Sequence, residues 1–158
     1  INLIAYTFGL ALNHGDEVII SEMEHHSNIL PWQMLKKNNI ILKFIPIDKH
    51  GNLNIEKLDS LITERTKLIS IIHMSNVLGT INPIDEIISL AKKNGVLTLI
   101  DAAQSISHEK IDVKKIDCDF LVFSGHKILG PMGIGCLYIK KNLLKHTRFK
   151  KSKKEAKN

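Results

Sequence analysis

Apolar side chains recur at helical spacing along residues 1 to 12, then stop at the polar punctuation Asn13-His14-Gly15-Asp16. Glu17-Val18-Ile19-Ile20-Ser21 follows as a short strand, so the chain opens with a helix and a strand. Pro31-Trp32-Gln33-Met34-Leu35-Lys36-Lys37 predicts a helical opening, Ile40-Ile41-Leu42-Lys43-Phe44-Ile45 a strand, and Asp48-Lys49-His50-Gly51 a turn. A short amphipathic helix is expected over 55–63, followed by the near-continuous apolar run Thr66 to His73, which suits a buried strand. Asn82-Pro83-Ile84-Asp85 predicts a helix start with Asn82 as N-cap, proline at the first helical position and an early acid. Gly95 ends that helix, and Val96 to Ile100 is the next strand.

Two more strands, at 119–123 and 134–140, bring the total to at least six, several of them separated by helices. That alternation predicts an α/β layered fold with a mainly parallel sheet flanked by helices. Ligands of such sheets collect beyond the carboxyl ends of the strands. The residues standing there are Glu24-His25-His26, then His73 with Ser75-Asn76, then Asp101 to Gln104, and finally Ser124-Gly125-His126-Lys127. A lone lysine is ordinarily a solvated surface charge, and an aspartate ending a strand ordinarily caps a turn. Four polar clusters along one sheet edge point beyond those readings. A lysine delivered by the strand Phe120-Leu121-Val122-Phe123 into a turn followed by Gly130, Gly133 and Gly135 has the layout of a Schiff-base lysine in a pyridoxal phosphate (PLP) enzyme.

Composition adds limits. With 158 residues, 44% of them hydrophobic and 24% charged, the chain is an ordinary globular length of sequence. No apolar run approaches the ~18 residues of a membrane span, and a start at Ile1 suggests a segment cut from something longer. The net charge of +6 gathers largely in a lysine-rich end, read as a solvated, disordered tail over 146–158 and not as a nucleic-acid surface. Cys118 and Cys136 both fall inside apolar segments, where each is expected to be a small buried hydrophobe. No metal site or disulfide framework is expected, and a reducing cytoplasm suits the cysteine usage. The glycines after Lys127 match neither a dinucleotide fingerprint nor a P-loop, and His25-His26 lack helical metal-ligand spacing.

Four motifs carry a resemblance to a known family. They are Met23-Glu24-His25-His26-Ser27-Asn28 with Pro31-Trp32, Ser75-Asn76-Val77-Leu78-Gly79-Thr80, Asp101-Ala102-Ala103-Gln104, and Ser124-Gly125-His126-Lys127 with Gly130-Pro131 and Gly133-Ile134-Gly135. In this order the chain resembles, over roughly residues 1–145, the group II (SufS-like) cysteine desulfurases of the class V PLP-dependent aminotransferases. The resemblance implies the large domain of a fold type I PLP enzyme, incomplete here, with residues 1–145 as its central part. It implies that Lys127 carries pyridoxal 5'-phosphate and serves as the base at the substrate Cα. Asp101 would face the pyridine nitrogen, and His25 would stack on the ring and relay protons. Gln104 would lie near the phenolic oxygen, Asn76 near that oxygen and the substrate carboxylate, and Ser124 and His126 would bind the phosphate. His26 and His73 are expected to support these groups.

The implied reaction converts L-cysteine to L-alanine and passes sulfur, as an enzyme persulfide, toward iron-sulfur cluster assembly. A sulfur acceptor protein and a homodimer are implied partners, with no membrane and no specific nucleic acid. The family's acceptor cysteine and its carboxylate-binding arginine belong to a region outside this chain, so the isolated segment is expected to be inactive. The motifs leave L-selenocysteine open as an alternative substrate, and a noncatalytic remnant open as an alternative role.

Overall fold

A computed structural model describes residues 1–145. The lysine-rich tail expected over 146–158 lies outside them. The elements run α1 (Asn2–Gly9), β1 (Glu17–Ser21), α2 (Leu30–Met34), β2 (Ile41–Ile45), α3 (Ile55–Leu61), β3 (Thr66–Ile72), α4 (Ile84–Lys93), β4 (Leu97–Asp101), α5 (Val113–Ile116), β5 (Phe120–Ser124) and β6 (Gly135–Ile139). Short 3-10 turns occupy His26–Asn28, Leu35–Asn38, Ser105–Ser107, Gly125–Ile128 and Leu143–Lys145.

The strands form one six-stranded sheet in the order β2-β1-β3-β4-β5-β6. Every pair from β2 to β5 is parallel, and β6 alone runs antiparallel, against β5. Continuous apolar runs make this possible, because a central parallel strand is covered on both faces. Val18 and Ile20 of β1, Leu68 of β3, Leu99 of β4, and Phe120 and Val122 of β5 pack on one face with Ile4, Ala5, Trp32 and Leu35. Ile19, Ile69 and Ile71 point to the other face, against Leu58 of α3 and Ile87 and Ala91 of α4. Ile100 and Leu121 continue that side with Ile84, Ile88 and Cys118. The sheet is therefore flanked by helices on both faces.

Two expectations are corrected. Asn82 is not the N-cap of α4. Pro83 takes the cap position without a side-chain hydrogen bond, and the buried Asn82 side chain donates from Nδ2 to Ile72 O at 2.7 Å. The carbonyl at the end of β3 has left the ladder and needs a donor, which decides where the amide goes. Cys136 is not buried. It stands exposed on β6, an edge strand with a partner on one side only, whereas Cys118 is fully buried as expected.

Candidate cofactor site at the strand ends

The order of the strands reverses at β1, where β2 lies to one side and β3 to the other. A crevice beyond the carboxyl ends of the strands is the expected consequence of that reversal. The loops leaving β1, β3, β4 and β5 meet there around a cavity of about 280 Å³, lined by His25, Ser27, Ile72, Asn76, Asp101, Ala103, Gln104, Ser124, His126 and Lys127. All seven side chains singled out from the sequence are among these. An adjoining cavity of about 300 Å³ shares Ser27, Asp101, Ala103 and Ser124 with it.

Each side chain is delivered by a local device. After β1 the chain enters the 3-10 turn His26–Asn28 with His25 as its cap, and His25 Nδ1 accepts from Ser27 N at 3.2 Å. Because a backbone N–H only donates, this bond assigns the lone pair to Nδ1 and leaves Nε2 to carry the proton of the neutral ring. The Ser27 hydroxyl also lies 2.8 Å from Nδ1. After β3, Ser75 Oγ accepts from the amides of Val77 and Leu78 at 3.3 and 3.1 Å, a serine turn that carries Asn76 at its exposed tip. Gly79, at φ +73°, lets the loop return to Ile81, which bridges Met74.

Asp101 is the last residue of β4 and is 3% exposed. Burial raises its carboxyl above the usual range, opposed by the hydrogen bond that Ala103 N donates to Oδ1 at 3.0 Å and by the nearby His25. A carboxylate has about four acceptor positions, so this group keeps capacity for a donor in the cavity. Lys127 and His126 lie in the 3-10 turn Gly125–Ile128 directly after β5, and both are exposed. That turn is pinned by Gly125 N donating to Ile134 O and Gly130 N donating to Gly125 O, both at 2.9 Å. A Cβ on Gly130 would stand 2.9 Å from Gly125 O, and one on Gly135 would stand 2.8 Å from Phe123 O, so the backbone approaches too closely for a side chain at either position.

Three further residues line the site without a clear sequence signal. Ser27 lines both cavities and holds the His25 ring, a role signalled only by a hydroxyl two places after a histidine. Ile72 and Ala103 supply apolar wall, and no sequence signal separates them from core. Of the residues expected to support the site, neither His26 nor His73 lines this cavity. His26 is exposed, its ring 6.0 Å from that of His25. His73 is buried, its imidazole pushed down by burial, and its backbone N–H donates to Asp101 O at 2.9 Å. That bond fixes the end of β4 to the loop after β3.

The donor set suits a flat, anionic, heteroaromatic group. A primary amine, a buried carboxylate with spare acceptor capacity, two amides, two imidazoles, two hydroxyls and apolar wall at Ile72 and Ala103 surround one cavity. Pyridoxal phosphate offers a matching aldehyde, ring nitrogen, phenolic oxygen and phosphate. Among the described residues no group of three or more His, Cys, Asp or Glu could hold a metal ion, and no helix is long and apolar enough to cross a membrane.

The chain is similar to known proteins over most of its length. A probable cysteine desulfurase of Halalkalibacterium halodurans is 52% identical over 143 residues, which cover 89% of this chain and 35% of that protein. A cysteine desulfurase of an Enterobacter species is 51% identical over 146 residues, covering 91% of this chain and 36% of its own length. The chain thus spans about a third of the length of these relatives. Among solved structures, a cysteine desulfurase of Escherichia coli superposes with a TM-score of 0.89 at 36% identity over 93% of this chain and 37% of that one. The apo cysteine desulfurase of Thermococcus onnurineus gives 0.88 at 40% identity over 92% and 37%. The family model for class-V aminotransferases matches residues 1–154, and the chain belongs to that family.

Proposed function

We propose that this chain is the cofactor-holding part of a cysteine desulfurase of the group II type, which takes L-cysteine to L-alanine and passes the sulfur to a cysteine thiol as a persulfide. The observation that carries the reading is the convergence of Lys127, Asp101, His25, Asn76, Gln104, Ser124 and His126, from four separate strand ends, on one cavity. The names of the relatives supply the reaction. A further structural neighbour, 33% identical with a TM-score of 0.81, is described in complex with cysteine, which favours L-cysteine as substrate.

Pyridoxal phosphate, when bound, supplies an electron sink that makes the substrate Cα proton acidic and weakens the bond from Cβ to sulfur. The chain's own residues do the rest. Lys127 Nζ would hold the cofactor, and, once displaced by the substrate amine, take the proton from Cα. Asp101 would accept a hydrogen bond from the protonated ring nitrogen, its carboxylate favoured by that positive charge over the raised value that burial alone gives it. His25, with its proton on Nε2, would cover the ring and move a proton toward the leaving sulfur. Asn76 and Gln104 would orient the substrate carboxylate and the phenolic oxygen, and Ser124 and His126 would donate to the phosphate.

Neither cysteine of the chain fits the sulfur acceptor. Cys118 is fully buried, and burial pushes its thiol up to about 11, so it is a poor source of thiolate. Cys136 lines the adjoining cavity and not the one that holds Lys127. The reading puts the acceptor outside this segment, which alone would then not complete sulfur transfer. Partnership with an acceptor protein in iron-sulfur cluster assembly, and a homodimer, belong to the same reading.

The test is conversion of L-cysteine by the longer protein that carries this segment. With a thiol reductant present to release the persulfide sulfur, L-alanine and sulfide should form in equal amounts, and Lys127→Ala should abolish both, whereas Cys118→Ala should leave the rate within about twofold. Turnover that survives Lys127→Ala contradicts the assignment.

A further inference from the structure

Glu24 lies beside the site without lining its cavity, and it is the most heavily hydrogen-bonded acid there. It is 7% exposed. Its Oε1 accepts from Ser21 Oγ at 2.5 Å and from Ile72 N at 3.0 Å, and its Oε2 accepts from Asn28 Nδ2 at 2.6 Å. The Asn28 amide is not free to turn over. Its Oδ1 accepts from Trp32 Nε1 at 2.9 Å and from Ser70 Oγ at 2.6 Å, and an indole N–H can only donate. Asn28 must therefore offer its NH₂ to Glu24. Ile72 N is likewise only a donor, so two obligate donors converge on one carboxyl, and the Ser21 hydroxyl is the one partner able to accept a proton from it.

These bonds join three parts of the fold. Ser21 ends β1, Ile72 ends β3, and Asn28 closes the 3-10 turn whose cap is His25. Within that turn Asn28 N donates to His25 O at 2.8 Å and Ser27 N to His25 Nδ1. His25 and Ser27 both line the cavity. We propose that Glu24 is a positioning residue, which fastens the His25–Asn28 turn to the ends of β1 and β3 and thereby sets where the His25 imidazole stands in the cofactor site. The identity of the bound group rests on the function proposed above.

Burial is expensive for this carboxyl in its ionised form. It pushes Glu24 up to about 7, against its three hydrogen bonds and with a smaller push from the Asp101 charge. A neutral Glu24 can turn its proton to Ser21 and keep both obligate donors. A glutamine cannot, because whichever way it turns, its NH₂ meets either Asn28 Nδ2 or Ile72 N–H.

The experiment is Glu24→Gln in the full chain, read by amide hydrogen exchange without cofactor and by PLP titration. The amides of Ser27 and Asn28 should exchange at least about tenfold faster while those of β1 and β3, apart from Ile72 itself, keep their protection. The dissociation constant for PLP should rise about tenfold, and adding Glu24→Gln to His25→Ala should weaken binding no further, since Glu24 acts through His25. Should Glu24→Gln fail to fold, Ser21→Ala, which removes one partner, should give the same local pattern at smaller amplitude. Unchanged exchange in the turn, a rise spread evenly over the molecule, or independent addition of the Glu24 and His25 effects overturns the proposal. A parent chain that takes up no PLP on Lys127 contradicts the proposed function instead, and the exchange result still decides whether Glu24 fastens the turn.

Discussion

At the scale of single residues, the site is built from carboxyl groups that the fold has taken out of water. The Asp101 carboxyl accepts one hydrogen bond, from Ala103 N, and burial raises it above its usual range, so a cationic partner in the cavity would favour its ionised form. Asp101→Asn keeps the size and the contact from Ala103 but removes the charge, and should weaken PLP binding by about 10–100-fold, the range of a charge-assisted hydrogen bond, in an equilibrium titration. Glu24 gives a pH prediction with a definite sign. Its carboxyl rises from an ordinary value of 4.5 to about 7 on folding, so between those values the native state holds more protons than the unfolded chain. The stability contributed by the neutral carboxyl is complete below about pH 4.5 and is lost as pH rises through 7, by about 3 kcal/mol at about 1.4 kcal/mol per unit. His73 acts in the opposite sense, because its lowered value makes the native state resist protonation as pH falls below 6.5. Comparison of the parent with Glu24→Gln isolates the first effect. Urea unfolding followed by the fluorescence of Trp32, the one tryptophan, should show the parent's stability advantage shrinking from pH 4.5 to 7, and an advantage that stays constant contradicts it. None of these states could be read from the sequence, because burial depends on which strands become neighbours. The residue types themselves were legible, since they stand directly after apolar runs.

At the scale of elements, the parallel strands were the most legible part, because β1, β3, β4 and β5 are covered on both faces and carry near-continuous apolar runs. Ends and edges were less so. Asn82 has the right type and place for a cap, yet the freed carbonyl of Ile72 claims its amide. Cys136 has apolar neighbours in sequence, yet its strand is at the sheet edge, and strand order is a long-range property. The turn that holds Lys127 depends on close backbone approach. Gly130→Ala would press a methyl group onto Gly125 O, and should cost about 1–3 kcal/mol of stability and displace Lys127 from the cavity. Gly133 has φ +81°, and a methyl group there would meet nothing within 4 Å, so Gly133→Ala should cost only about 1–2 kcal/mol, from backbone strain, and leave PLP uptake in place. Equal losses of PLP uptake in the two variants would show that the close contact does not position the lysine.

At the scale of the whole molecule, the sheet order explains why residues as far apart in sequence as His25 and Lys127 share one cavity. β1, β3, β4 and β5 are successive neighbours, all pointing the same way, so their carboxyl ends form a single row. Helices pack on both faces behind that row, and substitutions in the shared core should act on the fold before they act on the chemistry. Ile71→Ala, at a fully buried position in the cluster between β3 and α4, should lower stability by about 2–5 kcal/mol while the folded fraction still takes up PLP, as a denaturation curve run with and without cofactor would show. The central claim is that this row of strand ends holds pyridoxal phosphate through one lysine. Its most direct test is borohydride reduction of the chain after incubation with pyridoxal 5'-phosphate, followed by peptide mass mapping. A single pyridoxyl group on Lys127, reduced in yield by Asp101→Asn, is the predicted result, and labelling spread over the other lysines with Lys127 unmodified would contradict it.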